Sequence, residues 1–248
     1  TRRTPALRNK VYEKLSEAQA AAEAKDLSLA KSILDAMIAE GGKKALNSYE
    51  LANVYNLYAF IQYSREDYAG ALRSYEQVVS QPDIPLAMEI NTRFTIAQLY
   101  FVQEEWQRGI DALELWFNMT DTPNANAYVL LAQAYYQQGR YAESEEPIIT
   151  AMKIAKQRGA QYKESWLSLL RAVYYEQEKY EPAAKVLEVL VVLYSKPTYW
   201  LQLSGMYGLM GDQLKQAEIM HAAYVAGMVD KPAEVLNVAR LYMSQDAP

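Results

Sequence analysis

A helical hairpin pattern that recurs from end to end is what most restricts this chain. Its clearest copy runs from Ala125 to Ala151. There Tyr128, Leu131, Ala132 and Tyr135 stand at i, i+3, i+4 and i+7, one face of a helix. A polar corner follows at Gly139-Arg140-Tyr141, and Ser144 and Ile148 continue the pattern on a second helix. The same face is Tyr55, Tyr58, Ala59 and Gln62 in one further copy, and Trp200, Leu203, Ser204 and Tyr207 in another. Small residues at Ala59, Ala97, Ala132 and Ala239 let a partner helix approach closely. Tyr100, Tyr135, Tyr174, Tyr207 and Tyr242 are placed to fill the space between neighbouring hairpins.

Aligned on the corner, units begin near Val11, Ala52, Ile90, Ala125, Glu164, Pro197 and Pro232. The corner is followed by a large residue: Leu27, Tyr68, Trp106, Tyr141 or Tyr180. A small one comes next, at Ala30, Ala71, Gly109, Ser144 or Ala183, and then a bulky one at Leu34, Tyr75, Leu113, Ile148 or Leu187. A period of ~34 residues with linker insertions, in this order of residue types, resembles the tetratricopeptide repeat (TPR). The pattern predicts an all-α, right-handed superhelical solenoid of six full hairpins plus one terminal helix. It predicts a single solenoid domain over 1–248, with a basic lead at 1–10 and an incomplete seventh repeat at 232–248. Because Val235, Val238, Leu241 and Tyr242 leave an apolar face on that last helix, the native protein is expected to continue.

Composition narrows function by exclusion. There are 25 Lys and Arg against 30 Asp and Glu, which argues against a nucleic-acid surface. Arg2, Arg3, Arg8, Lys10 and Lys14 make the first residues basic; a solvated tail is the expected state, a tether to an anionic membrane the sharper one. With no cysteine, disulfide and zinc-thiolate frameworks are excluded. No run approaches ~18 apolar residues, so no membrane span is expected. The chain opens without Met or an apolar signal core, which fits either a removed targeting segment or a trimmed chain.

No catalytic motif emerges. His221, the one histidine, reads as a helix-packing or surface residue. There is no Gly-rich phosphate loop, GxSxG elbow or HExxH pair. Acidic neighbours such as Glu66-Asp67, Glu104-Glu105 and Glu145-Glu146 fall at corners or on outer faces, where solvated charge explains them. The sequence predicts a protein that is not an enzyme, with no cofactor and no metal.

A second stripe on each first helix lies beside the packing face. In the clearest copy it is Asn126, Val129, Gln133, Tyr136 and Gln137. The same spacing gives Asn53, Asn56, Phe60, Tyr63 and Ser64, then Asn91, Phe94, Gln98, Phe101 and Val102, then Ser165, Ser168, Ala172, Tyr175 and Glu176. An aromatic ladder (Tyr63, Phe101, Tyr136, Tyr175) thus runs beside a row of amides. Across all units only Glu23, Glu176 and Arg240 charge this stripe, although charged residues make up 22% of the chain. Aromatic enrichment with charge depletion marks interaction surfaces. Amides can pair with the backbone of a peptide, and rings supply contact area. Packing of these rings within the array is the competing expectation. By resemblance to TPR proteins the stripe lines a concave groove that takes an extended or helical protein segment. Chaperone-binding TPR domains grip a terminal carboxylate with Lys and Arg in that groove; hairpins two to four offer none, so an acidic C-terminal tail is not the expected ligand.

Two residues break the pattern. Arg171 fills the small-residue slot of the fifth hairpin and is expected to snorkel out or find an acidic partner. Pro147 falls inside a second helix and predicts a late helix start or a bend.

Three strings, RTPALRNKVYEKLSEAQ, SYELANVYNLYAFIQYSREDYAGALRSYEQVV and SWLSLLRAVYYEQEKYEPAAKVLEVLVVLYSKPTYWLQLSGMYGLMGD, carry a narrower resemblance. They are similar to periplasmic TPR proteins of Gram-negative bacteria encoded beside TonB-type energy-transduction components. That resemblance implies an exported mature chain supporting TonB-dependent uptake such as iron-siderophore import, with TonB, ExbB or ExbD as partners. It places Arg171 in the family pattern, as a structural ion pair. Cytoplasmic location, a peptide-responsive regulatory receptor, and an accessory subunit of an enzyme complex are the alternatives.

Overall fold

A computed structural model describes residues 2–230 and 232–244 of the chain, without the side chains of Pro232, Glu234, Val235 and Tyr242. The described residues are helical throughout: α1 Asn9–Glu23, α2 Leu27–Ala39, α3 Ser48–Ser64, α4 Tyr68–Ser80, α5 Leu86–Val102, α6 Trp106–Met119, α7 Ala125–Gln137, α8 Tyr141–Gln157, α9 Glu164–Glu176, α10 Tyr180–Tyr194, α11 Pro197–Leu209, α12 Gln213–Val225 and α13 Pro232–Ser244. A 3-10 turn at Gly42–Lys44 precedes α3. Two compact units divide the chain, one ending at Pro123 and one beginning at Asn124. The first contains the hairpins α1–α2, α3–α4 and α5–α6; the second contains α7–α8, α9–α10, α11–α12 and then α13.

Each corner is built the same way. One residue takes the left-handed conformation: Lys25, Glu66, Glu104, Gly139, Glu178 or Gly211, with φ from 57° to 78°. The amide after it reaches back five residues, as in Asp67 N–H to Gln62 O and Arg140 N–H to Tyr135 O, closing a Schellman motif. That same residue starts the next helix. Asp26, Asp67 and Asp212 accept the N–H of Leu29, Gly70 and Lys215 on their side chains. A helix end and a helix start therefore share one residue, which is why the hairpins are so tight.

Within each unit a second helix packs between its own first helix and the next one: α2 against α1 and α3, α4 against α3 and α5, α8 against α7 and α9, α10 against α9 and α11, and α12 against α11 and α13. In the first unit the interior holds Ala18, Ala30, Leu34, Val54 and Ile61. In the second it holds Ala132, Ile148, Leu167, Leu170, Leu187, Leu190 and Leu203. Burying a Leu or Ile contributes about 1.5–3 kcal/mol. Tyrosine hydroxyls add polar ties between hairpins. Tyr58 donates to Asp35, Tyr100 to Glu76 and Tyr207 to Glu188, each carboxylate lying on the preceding second helix. Burial, reinforced by Glu188, pushes the Tyr207 phenol up to about 12.

The structure bears on three of the sequence expectations. The basic lead is not wholly a solvated tail: Arg2 and Arg8 are tied to the array, while Arg3, Lys10 and Lys14 are exposed. Its Arg8 places Nε 2.9 Å and Nη2 2.7 Å from the carboxylate of Glu50, which is fully buried. Arg2 reaches Glu89 at 2.5 Å, and Asn47 Nδ2 donates to Ala6 O at 2.9 Å. Burial alone would raise the Glu50 and Glu89 pKa values. Bonds from Arg8 and the Asn47 and Arg8 amides outweigh it at Glu50, and Arg2 and Arg93 do so at Glu89, so both carboxyls sit below the usual range. The lead is thus pinned because two carboxylates on α3 and α5 need cations. Pro147 does not delay its helix, since α8 already begins at Tyr141 and runs through it. The terminal α13 is partly covered: Val238 is buried with Met220, Ala223 and Val229, and Leu241 packs on them. The expectations for Val235 and Tyr242 lie outside the described residues.

Candidate protein-interaction surface

First helices of neighbouring hairpins touch, α1 with α3 and α7 with α9, which places them on the tighter side of each local stack. Their outward stripe is the candidate surface, and each unit carries its own part.

In the first unit α3 presents Asn56, Phe60 and Tyr63 exposed, with Phe60 45% and Tyr63 50% accessible. Asn53 is half-buried and donates its amide to Tyr49 O at 2.8 Å, so that donor is used within its own helix. On α5, Asn91 and Gln98 are exposed, whereas Phe94 is half-buried against Trp116 with ring centroids 4.9 Å apart. Phe101 is half-buried, stacked on Trp106 at 6.2 Å. Its ring lies so close to Gly109 that a Cβ there would meet it at 2.2 Å.

In the second unit α7 presents Asn126 and Gln133 exposed and Tyr136 half-buried, and α9 presents Tyr175, 42% accessible. Tyr136 meets Tyr141 edge-on at 5.3 Å, and Tyr175 meets Tyr180 at 6.0 Å. Burial raises the Tyr136 phenol, helped by Glu176 and Tyr141, with Arg171 acting the other way.

These contacts reveal a rule that the sequence reading missed. Every ladder aromatic packs on the first residue of its own second helix: Tyr63 on Tyr68, Phe101 on Trp106, Tyr136 on Tyr141 and Tyr175 on Tyr180. Its signal was the spacing of five across the corner. The end hairpins lack it, with Ala22 and Leu27 at one end and Gly208 and Gln213 at the other. The ladder rings are therefore held by their own hairpin while one edge stays open. Val129 is a correction: at 5% accessible it belongs to the core, not the stripe. Arg171 is another. No ion pair forms on it among the described residues, and its Nε is buried with no hydrogen-bond partner.

His221 is exposed on α12 and borders a shallow open hollow with Glu218, Ala222, Val225 and Ala226. Among the described residues no group of three or more His, Cys, Asp or Glu is placed to hold a metal ion. Likewise, no described helix is long and apolar enough to cross a membrane.

No family model matches the chain. No curated protein matches it either. Solved structures do. A tetratricopeptide repeat protein from Parabacteroides merdae ATCC 43184 is 16% identical with a TM-score of 0.58, covering 96% of this chain and 88% of its own. MamA is 16% identical with a TM-score of 0.58, covering 70% and 90%. YrrB, described as a TPR protein with an unusual peptide-binding site, is 11% identical with a TM-score of 0.56, covering 78% and 92%. At such identities the likeness is one of fold, and it agrees with the corners and packing: the chain has the all-α fold of stacked TPR-type hairpins.

Proposed function

We propose that the protein is a non-catalytic interaction scaffold that holds a protein segment against the first-helix faces of its hairpins. The observation that carries this is the ladder itself. Four aromatic rings are fixed by partners within their own hairpins, yet Tyr63 and Tyr175 remain 50% and 42% accessible beside exposed amides. Prefixed rings offer contact area without the entropy of ordering a loose side chain. Asn56, Asn91, Gln98, Asn126 and Gln133 are exposed next to them and can donate to and accept from a peptide backbone. A peptide-binding site in a protein of the same fold, YrrB, is consistent with this use. The finer proposal is a periplasmic scaffold of a TonB-type uptake complex, with TonB, ExbB or ExbD among its partners. Its support is the three strings at the start, middle and end of the array.

The test is affinity capture from bacterial envelope extract, probed for TonB, ExbB and ExbD, with wild type beside an Asn91→Ala plus Tyr136→Ala variant. Recovery by wild type and loss by the variant is expected. Equal recovery by both sinks the groove; recovery of cytoplasmic chaperones alone sinks the TonB assignment and the periplasmic location.

A further inference from the structure

We infer that residues 2–8 form a releasable strap that couples the first hairpin directly to the third, so that the first unit moves as one body rather than as three hairpins in series. The inference stands apart from the groove proposal. In a stack of hairpins each repeat is held by its neighbours alone. The helices follow that rule: α1 packs on α2 and α3, and α5 packs on α4 and α6. The lead does not. It leaves α1 at Asn9, crosses the start of α3 and reaches the start of α5.

The two ends of the strap differ in kind. At the inner end Arg8 gives its backbone amide, Nε and Nη2 to the Glu50 carboxylate, at 3.0, 2.9 and 2.7 Å. Nη2 also donates to Ala45 O at 2.8 Å, and Asn47 Nδ2 donates to Ala6 O at 2.9 Å. Glu50 is fully buried, so breaking this end would strand a charge, and it acts as a fixed anchor. At the outer end Arg2 Nη1 donates to Ile84 O at 3.2 Å and lies 2.5 Å from Glu89. Ile84 is buried ahead of α5 among Ala52 and Val78 of the second hairpin, which fixes the carbonyl that Arg2 grips. The Arg2 side chain is 40% accessible, and Glu89 keeps a second cation, Arg93 at 2.8 Å, when Arg2 leaves. The outer end can therefore open without stranding a charge.

Between the ends, Pro5 fixes its own φ near −65° and turns Thr4 toward extended backbone, so closing the strap costs little chain entropy. When it is closed, the spread of α1 and α5 is set by a direct tie. When Arg2 is released, the third hairpin is held through α4 alone. Salt screens the half-exposed Arg2–Glu89 pair more than the buried Arg8–Glu50 pair, so it opens the outer end first.

The chain has no cysteine, so spin labels can be carried on cysteines introduced at Gln19 of α1 and Gln98 of α5, both exposed. Double electron–electron resonance then reads the distance between them in the full chain. At low salt a single narrow distribution is expected, and Arg2→Ala should lose it and give a broad one. About 1 M NaCl should do the same to the chain with Arg2 in place. Arg3→Ala removes the same charge from the lead at an exposed position and should keep the narrow distribution. Arg2 is a surface residue, so Arg2→Ala should fold, which circular dichroism verifies. An unchanged narrow distribution in Arg2→Ala means that the helices alone set the spacing, and overturns the strap. Equal broadening by Arg3→Ala reduces the effect to the charge of the lead and overturns it too. A narrow distribution that persists in salt overturns the releasable outer end.

Discussion

Two adjacent tyrosines carry opposite duties. Tyr135 is 9% accessible and its carbonyl accepts the Schellman bond from Arg140, whereas Tyr136 leans on Tyr141 with an edge open. Tyr135→Ala should cost about 3–5 kcal/mol in denaturant unfolding, as a large aromatic truncation in a core. Tyr136→Ala should cost less stability and more binding. The corners give a sharper pair of tests. Gly139 has φ of 70°, so Gly139→Ala should destabilise by about 1 kcal/mol, read from the unfolding midpoint. Glu104 sits at φ of 58° without the freedom of glycine, so Glu104→Gly should be neutral or stabilising by a few tenths to about 1 kcal/mol. At Gly109 the neighbour decides instead: Gly109→Ala should push Phe101 off Trp106 and cost about 1–3 kcal/mol as overpacking.

The elements were legible where local chemistry sets them. The period of Tyr128, Leu131, Ala132 and Tyr135 places a helix, and the polar corner at Gly139 ends it. What could not be read were partners far apart in sequence. Glu50 closes a capping box with Asn47 at the start of α3, and it is also the buried counter-charge for Arg8, 42 residues away. Val129 stands at a stripe position but faces the core, because one helical step separates the two faces. Arg171 could be recognised as foreign to its slot, though not as unpaired. The pinned lead makes a prediction with a definite sign. Glu50 and Glu89 have lowered carboxyl pKa values in the folded state, so their contribution is present above the ordinary value of 4.5 and lost as pH falls through the lower folded values. The exchange protection factor of the Arg8 amide, which donates to Glu50 at 3.0 Å, should therefore fall at acid pH below that range, and Arg8→Ala should lower it already at neutral pH.

For the molecule as a whole, stability comes from neighbours stacked on neighbours, and the tyrosine–carboxylate ties make that stacking sensitive to alkali. Tyr207 titrates near 12 when folded against 10 as the ordinary value. Its contribution is full below about 10 and disappears as pH rises toward 12. Thermal unfolding of the second unit should lose stability over that window, and Tyr207→Phe should flatten the dependence. Repeated stacking also multiplies one surface along each unit, so binding should be spread over several hairpins and single substitutions should weaken it only in part. Photo-crosslinking in cells tests this most directly, with a photoreactive residue placed singly at Asn56, Gln98 or Gln133 on first helices, or at Gln77 or Lys185 on the exposed second-helix side. The scaffold account predicts that the first-helix sites, Asn56 and Gln98 in the first unit and Gln133 in the second, each join a protein partner while Gln77 and Lys185 do not. Adducts concentrated at Gln77 and Lys185, with none at the first-helix sites, would contradict it.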